Sequence, residues 1–240
     1  MKLKSEDTHN LLRLINTCAV GGIDSLIIED GVARGINEAR SFVIISSTAL
    51  PGFPQKIGLG RLSALKQRLE LIAGADIEAV ESERGEIGSL NISLGRNKAQ
   101  FRCTATMLIK APKSINDELQ FSIYPTEGEL QLLLNSIKVM GSKSVQLTIK
   151  KDRTVQFVTT DANNDQFTSV IEQPAGLVGE EAGTVTHYYH ADVFYSTVKS
   201  IDAGAEAAEL VVGESGTLRF NINGHNVVLL PKVNEDGDDE

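Results

Sequence analysis

The chain has 240 residues, of which 41% are hydrophobic and 23% charged, and this composition predicts folded domains rather than a disordered chain. Domains of about 100 to 150 residues are the most common, so we expect two. No apolar run approaches the ~20 residues that a membrane-spanning helix needs. The net charge of −9 argues against a nucleic-acid partner, but five acids lie in the last six residues, and without them the charge is −4.

The first half of the chain alternates helical and strand-like segments. Apolar residues between Leu11 and Cys18 recur at three-to-four spacing and predict a helix over about 6–19. A second apolar stripe predicts a helix over 62–73, which ends at Gly74. The segments that predict strands here are 23–29, 32–37, 41–48, 55–59, 76–82, 87–94 and 98–110.

The segment 111–118 breaks this pattern and predicts a connector between two domains. It contains Pro112 and the pair Asn116 and Asp117, which favour turns over regular structure. The order then restarts, with helices predicted at about 127–140 and 191–203. The predicted strands of this half are 119–124, 144–150, 153–159, 166–172, 184–190, 207–212, 216–222 and 227–230.

The two halves also repeat one another in sequence. A helix, a glycine and a strand follow Asn16 and again Asn135, at an offset of 119 residues. The end of the second helix, 69–75, resembles the segment 200–205 in the same way. Repeated units of this kind build extended shapes such as arcs and rings. Four helices among some sixteen strands predict an α+β fold in which helices cover one face of antiparallel sheets.

The exposed faces of the predicted helices carry cations or amides in a chain that is acidic overall. Arg13 lies opposite the apolar stripe of the first helix, and Lys199 lies opposite that of the last. Repeat symmetry would bring all four helices to one side. A polar helix surface is by itself ordinary, and Glu70 shares the outer face of the second helix.

Motifs for catalysis, cofactors or metals are absent, so the chain is predicted not to be an enzyme. The four histidines lack zinc-site spacing, and neither a phosphate-binding lysine loop nor a nucleophile elbow occurs. Cys18 and Cys103 lie in apolar runs and are expected to be small core residues. The polar, acidic start of the chain does not resemble a signal peptide, so an intracellular location is expected.

Three segments resemble the proliferating-cell-nuclear-antigen type of DNA sliding clamp. The run 227–233, Val-Val-Leu-Leu-Pro-Lys-Val, followed by acids, resembles the closing strand and tail of these clamps. Residues 1–3 with 5–16 resemble the start of the clamps of T-even-type bacteriophages, and Gly128 to Leu130 fits the opening of the third clamp helix. The matching segments follow clamp order over nearly the whole chain.

The resemblance implies a homotrimeric, six-domain ring that encircles duplex DNA and tethers the replicative polymerase. Helices would line the hole, and antiparallel sheets would form the outer wall. A separate ATP-dependent clamp loader would open the ring, and a phage protein of this kind would act in replication and late transcription in the host cytoplasm. The implied divisions are an N-terminal domain at 1–110, a connector at 111–118, a C-terminal domain at 119–233 and an acidic tail at 234–240.

The resemblance and the helix faces together predict three sets of site residues. The candidates for the DNA-facing wall are Lys4, His9, Arg13, Arg61, Lys66, Arg68, Lys138, Lys143 and Lys199. The residues that match a partner-peptide pocket are Ile36, Arg40, Val43, Leu230, Pro231 and Lys232. The edge strands expected at the subunit interface contain Arg102, Thr104 and Met107 on one side and Gln166 to Ile171 on the other.

Two other functions remain open at this point. The chain could be a processivity subunit of the same fold that binds DNA without forming a ring. It could also be a structural or assembly protein of duplicated β-rich domains, in which the helix cations are solvated surface.

The connector is shorter than in eukaryotic clamps, which leaves the outer rim of the peptide pocket undefined.

Overall fold

The computed structural model describes residues 2–3, 5–47, 56–82, 86–112, 114–178, 183–201 and 208–232. The chain divides into two compact units, Met1–Ile115 with Asn223–Asn226, and Asn116–Ile222 with Val227–Glu240. In the described part, each unit combines two helices with antiparallel strands. The predicted α+β fold class is therefore confirmed.

Unit 1 begins with a short strand and a helix. Its elements are β1 Lys2–Leu3, α1 Ser5–Val20, β2 Ser25–Glu29, β3 Val32–Ile36, β4 Phe42–Ser47, β5 Ile57–Gly60, α2 Leu62–Leu71, β6 Asp76–Glu81, β7 Ile87–Leu94 and β8 Asn97–Arg102. The strands lie side by side in two antiparallel groups, β5-β2-β3-β4 and β1-β6-β7-β8. The buried faces of α1 and α2 place Leu14 and Leu65 in the core together with Ile28 and Ile92.

Unit 2 repeats this order with one addition. Its elements are β9 Leu119–Ile123, α3 Glu127–Met140, β10 Ser144–Ile149, β11 Val155–Thr160, β12 Gln166–Ile171, β13 Gly176–Leu177, β14 Val185–His190, α4 Ala191–Lys199, β15 Leu210–Gly213, β16 Leu218–Ile222 and β17 His225–Leu229. The first two residues of β17, His225 and Asn226, belong to unit 1. The strands lie in the orders β14-β10-β11-β12 and β13-β9-β15-β16-β17. The ring of Phe194 on α4 packs 5.8 Å from Phe157 and 6.0 Å from Tyr189, centroid to centroid.

The duplication predicted from the sequence is present strand by strand. The order β5-β2-β3-β4 has its copy in β14-β10-β11-β12, and β1-β6-β7-β8 has its copy in β9-β15-β16-β17. Ser25 and Ser144, the first residues of β2 and β10, are separated by the predicted offset of 119. Only β13 has no counterpart among the described residues of unit 1. The second predicted repeat, of 69–75 by 200–205, lies largely outside the described residues.

The main difference from the predicted elements concerns the segment 98–110. The strand ends at Arg102 because the backbone leaves the sheet, and the Thr104 N–H donates to the Gly58 carbonyl at 2.9 Å. A short 3-10 turn, Thr106–Leu108, follows. β1 and β13 were not predicted, since two-residue strands offer no alternation to read. The last strand begins at His225, earlier than the predicted residue 227, and α4 ends at Lys199.

Candidate nucleic-acid and subunit interfaces

The exposed face of α1 carries two of the predicted DNA-facing residues. Leu11, Leu14 and Cys18 are buried on the opposite face of the helix, as the apolar stripe predicts. His9 and Arg13 are exposed. α1 packs beside α2 within unit 1. The two helices therefore present neighbouring exposed surfaces, while Lys4 lies outside the described residues.

Two arginines of the α2 region share one aromatic ring. The Arg61 guanidinium carbon lies 5.4 Å from the ring centroid of Phe101, and that of Arg68 lies 5.9 Å from it. Arg61 Nη2 also donates to the carbonyl of Arg102 at 3.3 Å. Cation–π contacts of this kind hold guanidinium groups in place while they keep their charge. Sequence reasoning missed Phe101, because its role depends on β8 passing beside α2.

Lys66, another predicted DNA-facing residue, forms an ion pair within its own helix. Its Nζ lies 3.7 Å from a carboxylate oxygen of Glu70, four residues further along α2. An exposed pair of this type contributes little to stability but offsets the charge of the lysine. The charge of Lys66 is therefore partly neutralised within α2 itself.

In unit 2 the predicted cations lie on and near the paired helices α3 and α4. Lys138 Nζ on α3 lies 5.1 Å from the ring centroid of Tyr195 on α4, a contact that joins the exposed sides of the two helices. Lys199 is exposed at the last residue of α4. Lys143 is exposed just before β10, and its carbonyl accepts the N–H of Ala191 at 3.2 Å.

The predicted peptide-pocket residues differ in exposure. Val43 is only 1% exposed and belongs to the core of unit 1, which explains its apolar character by packing alone. Ile36 is half-buried at the end of β3, and Arg40 is exposed in a turn with a positive φ of 52°. In unit 2, Leu230 and Pro231 are half-buried, and the Lys232 N–H donates to the Tyr188 carbonyl at 2.6 Å.

The strands predicted at the subunit interface lie at the ends of their sheets. β8 is the last strand of the order β1-β6-β7-β8, and β12 is the first of β12-β11-β10-β14. Edge strands present backbone groups that can pair with another chain. Gln166 is exposed at the start of β12, whereas Ile171 at its end is 2% exposed. Phe167 and Val170 on the same strand are 36% and 51% exposed.

The other three predicted interface residues do not share one strand. Arg102 ends β8 and is exposed. The Thr104 N–H is already bonded to Gly58, so it is not available for pairing with another chain. Met107 lies in the 3-10 turn with 89% of its surface exposed. The edge available for strand pairing in this region is therefore β8 itself.

Asp117, at the start of unit 2, forms hydrogen bonds with the turn between β15 and β16. Its carboxylate accepts the Ser215 N–H at 2.8 Å and the hydroxyl of Thr217, and its carbonyl accepts Arg219 Nη2 at 3.0 Å. Partial burial raises the pKa of Asp117, but these hydrogen bonds outweigh it and leave the pKa below its usual value. This cluster was not predicted, because it joins residues about 100 positions apart.

A buried histidine in unit 1 forms a hydrogen bond with a serine of β4. His225 Nδ1 lies 3.0 Å from Ser46 Oγ, and the two residues are 8% and 2% exposed. Burial, and then the positive charge of Arg13, lower the pKa of His225, so the ring is neutral at neutral pH. Asn223 Nδ2 donates to Thr17 Oγ1 at 3.3 Å, which adds a contact with α1.

The described residues contain no group of three His, Cys, Asp or Glu side chains that could hold a metal ion. Burial raises the pKa of both Cys18 and Cys103 to about 12, so neither thiol is a ready nucleophile. Within the described part of the chain, no helix is long and apolar enough to cross a bilayer.

The duplicated units, each with paired helices and antiparallel sheets, define the fold of the DNA sliding clamps. Solved clamp structures share this fold over nearly their full length. A chain in the structure of the C-terminal region of FEN-1 bound to PCNA from A. fulgidus matches with a TM-score of 0.65 and 12% identity, covering 98% of this chain and 99% of that one.

Two further clamp structures give similar values. A chain of the PCNA2–PCNA3 complex from Sulfolobus tokodaii matches with a TM-score of 0.62 and 16% identity, covering 97% of this chain and 98% of that one. PCNA from Thermococcus kodakaraensis matches with a TM-score of 0.60 and 14% identity, covering 94% and 97%. No protein-family model and no curated protein matches the sequence. The likeness is therefore one of fold.

Proposed function

We propose that this chain is a DNA polymerase processivity factor, a sliding clamp that assembles as a homotrimeric ring around duplex DNA. The observation that carries the proposal is the duplicated clamp fold over 98% of the chain. The protein has no catalytic role in this proposal; it holds a polymerase on its template. The resemblance of residues 1–3 and 5–16 to the start of T-even-type phage clamps adds a bacteriophage setting, with a role in late transcription.

The charge distribution supports a topological hold on DNA. A clamp must attract phosphates weakly and without reading bases, so that the ring can slide. Exposed cations on the helices supply such attraction, whereas the net charge of −9 disfavours tight binding elsewhere on the surface. Arg13 on α1 and Lys199 on α4 are exposed, and each supplies such a cation within its own unit.

The edge strands support self-association. Each copy has a β8 edge in unit 1 and a β12 edge in unit 2 among its described residues, two different surfaces. Pairing of unlike surfaces is head-to-tail and closes into a ring when the rotation per copy fits.

The proposed function requires two other proteins, a polymerase and an ATP-dependent loader. The loader must be a separate protein in this proposal, because the chain has no nucleotide-binding motif of its own.

Charge reversal on the helix faces tests the DNA-binding part of the proposal. We expect R13E/K199E to reduce retention on nicked circular DNA, and to shorten primer-extension products made with the cognate polymerase and loader. The difference from wild type should be largest at low salt and should shrink at high salt, where the attraction of phosphates is screened in both proteins. Lys150 and Lys151 are exposed directly after β10, so K150E/K151E, which changes the net charge by the same amount, is the matched control and should behave as wild type.

Two results would contradict this assignment. Unchanged retention and product length for R13E/K199E would mean that α1 and α4 do not face DNA. Equal losses for R13E/K199E and K150E/K151E would mean that overall charge, and not a DNA-facing wall, controls binding. A protein retained equally on linear and circular DNA would argue against encirclement.

A further inference from the structure

A buried hydroxyl on the β12 edge has no hydrogen-bond partner among the described residues. Ser169 is 3% exposed, and its Oγ is buried without a donor or acceptor within bonding distance. Buried polar atoms are rarely left unsatisfied, because the lost hydration costs free energy that a partner would recover. The isolated chain therefore lacks a group that Ser169 requires.

The strand registers identify the residue of unit 1 that occupies the same position. In unit 1, Ile28 pairs with Ala33, which pairs with Ser46. In unit 2, Leu147, the residue 119 positions after Ile28, pairs with Phe157, which pairs with Ser169. All six residues are buried. Ser46 and Ser169 are thus equivalent serines on equivalent strands.

Ser46 has the partner that Ser169 lacks. Its Oγ lies 3.0 Å from Nδ1 of His225, the first residue of β17, just after the two-residue turn Asn223–Gly224. β8 is the copy of β17 in the other repeat, and its first residue, Asn97, follows the two-residue turn Gly95–Arg96. As the first residue of the equivalent strand, Asn97 is the repeat equivalent of His225, and it is exposed.

We infer that Asn97 of a second copy of this chain lies beside Ser169 and hydrogen-bonds to its hydroxyl, which fixes the register of β8 against β12. The inference rests on the proposed self-association and specifies the contact by which it occurs. An asparagine amide both donates and accepts, as a neutral histidine ring does, so it satisfies the serine in either sense. The covered edge also removes Phe167 and Val170 from water.

Disulfide trapping tests the register. In a C103S background, which removes the half-buried thiol, N97C/S169C should oxidise into covalent dimers and trimers on a non-reducing gel. N97C and S169C alone should stay monomeric. K98C/S169C is the matched control: successive side chains point to opposite faces of a strand, so it should not cross-link. Cross-linking of N97C/I171C instead, two residues further on β12, would overturn the inferred register.

Polar substitutions test the hydrogen bond. We expect N97L to raise the dissociation constant of the oligomer about tenfold, and N97H, which copies the His225 contact, to keep it within about twofold of wild type. In an S169A background N97L should have little further effect. A trimer in which N97L costs nothing and N97C/S169C does not cross-link overturns this inference alone. A chain that stays monomeric at all concentrations overturns it together with the proposed ring.

Discussion

At the scale of single residues, Asp117 shows how one carboxylate organises a loop. It receives hydrogen bonds from a backbone N–H of Ser215 and from the hydroxyl of Thr217, and Arg219 bonds to its carbonyl. The neighbouring Tyr189 hydroxyl donates to the Gly216 carbonyl at 2.8 Å, so the turn is held from two sides. These contacts hold the start of unit 2 against the β15–β16 turn, which follows it in the sequence by about 100 residues.

We expect D117N to lower the free energy of unfolding at pH 7 by about 1–2 kcal/mol, since charge-assisted hydrogen bonds become neutral ones. The pKa of Asp117 is lowered in the folded state, so its contribution is complete above the unfolded pKa and disappears as pH falls through the folded one. Urea unfolding from pH 7 to pH 3 should therefore show a shallower acid loss in D117N. D165N, at an exposed loop residue, is the control, and equal losses in both variants would contradict this role.

At the scale of elements, two glycines let the chain after β8 lie against β5. A Cβ on Gly58 would lie 2.2 Å from the Thr104 carbonyl oxygen, and a Cβ on Gly60 would lie 2.4 Å from the Thr104 hydroxyl. The close approach permits the hydrogen bond from the Thr104 N–H that ends the predicted long strand. The equivalent hydrogen bond in unit 2 runs from Lys232 to Tyr188.

G58A should therefore destabilise the protein by about 2 kcal/mol or more, because backbone atoms must shift to admit the methyl group. Gly128 in the first turn of α3 has open space around its Cβ position and no positive φ, so G128A should be neutral or stabilising. Thermal unfolding of the two variants compares these outcomes directly. A G58A protein as stable as G128A would show that the approach of Thr104 is not required.

At the scale of the whole molecule, the proposed ring predicts a definite mass. The native mass should be close to three times 25.9 kDa, measured by light scattering across a wide range of concentrations. N97L should shift the distribution toward monomer as the sample is diluted. A stable monomer that still lengthens primer-extension products would instead support the processivity subunit without a ring.

Much of the fold follows from local sequence. The limits of α3 match the predicted 127–140, because Thr126 caps the helix, Glu129 completes the capping box and Gly141 ends it in a left-handed conformation. Strands β10 and β11 alternate buried and intermediate residues as the period of two requires. The contacts of the candidate site could be predicted only in part. Arg13 and Lys199 were found from helix periodicity, but the contacts of Phe101 and Tyr195 with nearby cations were not.

The sequence by itself determined the duplicated α+β architecture, since the local periodicity and the 119-residue repeat can both be read without knowledge of long-range contacts. Only the tertiary structure decided where β8 ends, because this depends on a hydrogen bond between distant segments, from the Thr104 N–H to the Gly58 carbonyl. The same is true of Ser46 and Ser169. Their equivalence is a property of strand register, and one serine has its partner at His225 while the other does not.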